Sequence, residues 1–60
     1  MQPTLEEKQY MLELVQELRG YVQDLPLIMK ESMQTRRRIA DRMIEIKSIL
    51  KKFRETYPHA

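Results

Sequence analysis

Cysteine is absent from this chain, tryptophan is absent, and glycine occurs once in 60 residues. Without thiols there is no disulfide staple, no thiolate nucleophile and no cysteine-based metal site. The single histidine, His59, follows Pro58 in a tail expected to fray, so a metal centre lacks ligands and a nucleophilic relay lacks a base. The paired carboxylates Glu6 and Glu7 suit the positive end of a helix dipole better than acid–base chemistry. The expectation is a chain that is not an enzyme and takes no cofactor and no metal.

Long apolar runs are missing too. Nothing approaches the roughly 20 residues needed to cross a bilayer, and the opening MQPTLEEK has neither the basic nor the apolar region of a signal peptide. Together with the lack of cysteine, this makes an intracellular chain, cytoplasmic or nuclear, the expectation. Period-two alternation is also absent, which excludes a half-buried strand and leaves an all-α fold.

What is present is the vocabulary of long helices. A third of the residues are charged, and the charge is divided along the chain. Residues 1–29 set Lys8 and Arg19 against Glu6, Glu7, Glu13, Glu17 and Asp24, a net −3, whereas residues 30–60 carry a net +5. In the second half Ile39, Met43, Ile46, Leu50, Phe53 and Tyr57 recur at steps of four and three, the stripe through which a helix packs on another helix. In the first half Met11, Val15, Leu18 and Val22 form a matching stripe, widened by Leu14 and Tyr21 on one side and by Leu12 on the other. Leu25 and Met29 keep the same register.

Helix boundaries follow from capping chemistry. Thr4 with Glu7 three residues later reads as a capping box, so a first helix is expected over about residues 5–24. Gly20, as a left-handed residue past a helix end, and Pro26, tolerated in a first turn, place the turn around residues 20–26 and a second helix over about 26–57. Two architectures fit. One is a two-helix hairpin, which lays the acidic first helix against the basic second. The other is one long helix kinked at Pro26, which keeps the stripe in register but costs about 3 kcal/mol at the proline. In the hairpin the longer second helix overhangs the first by roughly 15 Å, leaving Ile46, Ile49, Leu50, Phe53 and Tyr57 to be covered from outside.

Sixty residues without disulfides or metal sit near the lower limit for a self-sufficient core, which points to oligomerisation. The leading functional reading is a non-catalytic module for oligomerisation or scaffold assembly, acting as an antiparallel coiled coil or helical bundle. Its partner is itself, as an antiparallel homo-oligomer (dimer or tetramer), or another helical protein. The interface residues are Met11, Val15, Leu18, Val22, Leu25, Met29, Ile39, Met43, Ile46, Leu50, Phe53 and Tyr57. The alternative is a small basic helical dimer that binds nucleic acid through Arg36, Arg37, Arg38 and Arg42. Asp41, Glu45 and Glu55 interrupt that basic run, and no base-reading motif accompanies it.

Overall fold

A computed structural model of the chain describes residues 2–59. Within them every regular element is helical: α1 spans Leu5–Gln23, α2 Leu25–Ile28 and α3 Met33–Thr56. The molecule is a rod of 44 × 15 × 15 Å. α1 and α3 lie side by side, with Tyr57 bonded to Glu7 and Arg42 bonded to Glu17. Those two pairings fix the helices in opposite directions and make the chain a hairpin, not one long helix.

Thr4 starts α1 as its sequence indicates. The Glu7 amide donates to Thr4 Oγ1 at 3.0 Å and the Thr4 amide donates to Glu7 Oε1 at 3.0 Å, so two otherwise unpaired donors are satisfied reciprocally. Pro3, just before the cap, is buried.

The turn is not where Gly20 suggests. α1 runs through Gly20, whose φ is not positive and whose carbonyl accepts from the Asp24 amide at 3.0 Å. A glycine in a helix costs only about 1 kcal/mol. Against that, continuing the helix keeps Leu18 and Tyr21 on its covered side and holds Tyr21 one turn from Glu17, where its hydroxyl bonds the carboxylate. The expected second helix over 26–57 is likewise split. Pro26 sits in the first turn of α2, where its missing N–H costs nothing. The reversal then occurs at residues 29–32. The Lys30 and Glu31 amides bond back to the Leu27 and Ile28 carbonyls, and Ser32, in an extended conformation, caps α3 by accepting from the Thr35 amide at 3.2 Å.

Moving the turn toward the middle of the chain also removes the expected overhang. α3 ends level with the start of α1, and Ile46 is covered from within the chain instead of projecting beyond it.

The core is thin. Leu14 at 2% exposure and Ile46 at 0% are its fully covered apolar side chains. Met11, Leu18 and Tyr21 of α1, Ile39, Met43, Leu50 and Phe53 of α3, and Tyr57 just past its end are half-buried around them. The α3 stripe is the one the spacing gives. The α1 stripe is turned toward Leu14 and Tyr21, and Val15 and Val22, expected at its centre, are exposed. Phe53 and Tyr57 pack with ring centroids 5.1 Å apart and tilted by 53°, near the open end of the hairpin.

Candidate interaction surface

The covered stripes define a seam. On α1 it runs through Glu7, Met11, Leu14, Leu18 and Tyr21, and on α3 through Ile39, Met43, Ile46, Leu50, Phe53 and Tyr57. The two flanks of that seam differ chemically.

One flank is bonded. Arg42 meets Glu17 in a two-point fork, with Nε 2.7 Å from Oε2 and Nη2 3.1 Å from Oε1, and it also pairs with Glu45. Tyr21 donates its hydroxyl to the same Glu17 oxygen at 2.6 Å. Glu17 therefore accepts three charge-assisted hydrogen bonds, two of them from a cation. The Arg42 guanidinium, then the Tyr21 hydroxyl, hold its carboxyl down to about 2. The same contacts push Arg42 up, and the Tyr21 phenol is pushed up chiefly by its bond to Glu17. At the open end Glu7 is lowered, first by its bond to the Thr4 backbone, and Tyr57 is raised by desolvation and by its bond to Glu7.

Near the turn there is an open hollow of about 510 Å³, lined by Leu25, Ile28, Met29, Met33, Ile39 and Met43, with Arg36, Arg37 and Ala40 completing the wall. Several of these side chains face water: Met33 is 75% exposed, Leu25 and Met29 are exposed, and Ile44, one turn beyond Ala40, is 66% exposed. Val15 and Val22 on α1 are exposed as well. Of the residues expected at an interface, Val15, Val22, Leu25 and Met29 thus remain uncovered by the chain itself.

The arginine run is dispersed. Arg42 is committed to Glu17 and Glu45 on the bonded flank. Arg36 lines the hollow, and its Nε is buried without a hydrogen-bond partner among the described residues. Arg37 and Arg38 are exposed. Four guanidinium groups within seven residues therefore serve different places, and no single basic face collects all four.

Sequence spacing does not by itself reveal the hollow, which depends on the chain reversing at residues 29–32. The available signal is Ser32 followed by Thr35, a weaker cap pair than the Thr4–Glu7 box. Among the described residues, no group of histidine, aspartate and glutamate comes together to hold a metal ion, and no helix is long and apolar enough to cross a membrane. Comparison of the chain with protein-family models, curated proteins and solved structures finds no match.

Proposed function

We propose that the chain is a non-catalytic assembly module, a helical hairpin that associates with other helices through the apolar surface its own fold leaves open. The observation that carries this reading is the imbalance of burial: Leu14 and Ile46 are fully covered, while Val22, Leu25, Leu27, Met29, Met33 and Ile44 are each more than 40% exposed. Covering a side chain of this size is worth roughly 2 kcal/mol. A core supplying only about 3–5 kcal/mol at this length gains heavily from a partner. Nucleic-acid binding fits less well, because Arg42 is held by two carboxylates and the hollow is lined mainly by apolar side chains.

The test is molar mass in solution by light scattering and, for a tagged chain in cell extract, native size. Both are compared with a variant carrying Val22→Glu, Met33→Glu and Ile44→Glu. The expected result is a wild-type species well above 7.3 kDa in at least one setting, reduced by the triple variant while helicity persists. A wild-type chain that runs as a monomer in both settings sinks the assembly reading.

A further inference from the structure

The two helices carry a second pair of stripes, each one residue past the seam. On α1 it reads Leu5, Lys8, Leu12, Val15, Arg19, Val22, and on α3 it reads Met33, Arg37, Ala40, Ile44, Lys47, Lys51, continued by Arg54. Every one of these residues is exposed, and none is acidic. In two antiparallel right-handed helices, positions advanced by one from the seam lie on the same side of the pair. The two stripes therefore share one face. The hollow confirms the α3 half of this placement, since Met33, Arg37 and Ala40 line it together with Leu25 and Met29.

The opposite flank, one residue before the seam, holds Glu6, Glu13, Glu17 and Asp24 on α1 and Arg38, Arg42, Glu45 and Lys52 on α3. There the charges oppose each other, and Glu17 and Arg42 are bonded. The segregation of acid and base along the chain is thus satisfied on one flank only. On the other, Lys8, Arg19, Arg37, Lys47, Lys51 and Arg54 outnumber the carboxylates at its edge, Asp41 and Glu55, which lie one turn beyond Arg37 and Lys51. The start of α3 adds to this imbalance, because its first turn has no acidic residue to meet the helix dipole and arginines follow at once.

We propose that this face is the docking site of one acidic amphipathic helix from another protein, which lies along the hairpin and completes a three-helix bundle. The proposal rests on the reading of the chain as an assembly module and names its partner by chemistry. The larger apolar stretch, from Val15 and Ile44 to Met29 and Met33, lies toward the turn with Arg19 and Arg37 within it, and Lys8, Lys47, Lys51 and Arg54 lie toward the open end beside Leu5 and Leu12. The partner helix therefore presents aliphatic residues at three-four spacing to the hollow, with glutamate or aspartate on both flanks and most densely at the end lying beside Lys51.

A second copy of this chain fits poorly, because a two-fold axis along the rod sets Lys8 and Lys51 against their own images, and one across it does the same to Arg19 and Lys47 near mid-rod. A flat bilayer surface does not enter a concave hollow.

The test uses the full chain and three synthetic helical peptides with identical leucines at three-four spacing, whose flanking positions are all Glu, all Gln or all Lys, read by fluorescence anisotropy. The Glu peptide is expected to bind tightest, the Gln peptide about tenfold more weakly and the Lys peptide without saturation, with the differences shrinking as salt rises. Ile44→Glu should weaken the Glu peptide at least about tenfold with the circular dichroism unchanged, since Ile44 is exposed. Arg37→Glu with Lys47→Glu should reverse the ranking of the Glu and Lys peptides.

Equal binding of the three peptides, or none, overturns the proposal, as does stronger binding to phosphatidylserine vesicles than to the Glu peptide. A wild-type homo-oligomer that Ile44→Glu dissociates assigns the face to a second copy. That outcome overturns the acidic partner while leaving the assembly reading intact.

Discussion

Ile44 and Ile46 are the same residue type two positions apart on α3, yet one is 66% exposed and the other 0%. Truncating each to alanine separates the seam from the open face. A buried isoleucine cut to alanine costs about 2–5 kcal/mol, through lost transfer free energy and the cavity left behind. A core of this size supplies only about 3–5 kcal/mol in total, so Ile46→Ala removes most or all of it. Ile44→Ala removes little that is covered, and alanine is the better helix former by several tenths of a kcal/mol, so stability should hold or rise slightly.

The assay is urea unfolding followed by far-ultraviolet circular dichroism, at one low protein concentration so that association does not add to stability. With a slope near 1 kcal/mol/M for so small a chain, Ile46→Ala should lose its folded baseline, while Ile44→Ala keeps its midpoint within about 0.5 M. Equal losses in the two variants would refute the placement of the seam and of the open face together.

Gly20→Ala should stabilise the chain by about 1 kcal/mol, because Gly20 is helical and an added Cβ meets nothing within 4 Å; a lowered melting temperature would contradict a helix through residue 20. Thr4→Ala should cost about 1 kcal/mol by breaking the capping box, seen as a lower midpoint with little change in final helicity. In acid, the Glu17 carboxyl titrates at about 2 in the folded chain against an ordinary value of 4.5, so the unfolded chain binds the proton first. Its contribution is complete above about pH 4.5 and fades as pH falls toward 2, with Glu7 acting in the same direction. Glu17→Gln should flatten that acid limb in a series of pH-dependent melts, and an unchanged limb would show that the Arg42 fork does not contribute.

How much of this is legible in the residue order depends on how many stripes a helix carries. From Ile39 to Tyr57, α3 has one strong apolar stripe, and spacing alone finds the side that is covered. α1 has two adjoining stripes sharing Met11 and Leu18, and periodicity cannot choose between Leu14 with Tyr21 and Val15 with Val22. The choice is made across the hairpin, where Glu17 meets Arg42 and the Tyr21 hydroxyl turns toward the same carboxylate. Those partners are 25 residues apart in one case, beyond the reach of local pattern. Gly20 and Pro26 are weak punctuation, because a helical glycine is cheap and a proline in a first turn is free. The reversal at residues 29–32 is signalled only by Ser32, a modest cap inside a polar stretch. The acidic and basic halves, by contrast, correctly anticipate attraction between the helices, although only one flank of the hairpin uses it.

Two fully covered side chains near mid-rod have a consequence for how long the molecule survives alone. At about 3 kcal/mol, roughly one hairpin in 150 is open at any moment, and both helices are then accessible to proteases. Proteolysis tracks that open fraction when opening is fast. A helix laid along the rod lowers it by its own occupancy. On the proposed reading of the chain as an assembly module, its lifetime in a cell would follow the supply of its partner: copies made in excess would be cleared, and the amount of hairpin would settle near the amount of partner without any dedicated control.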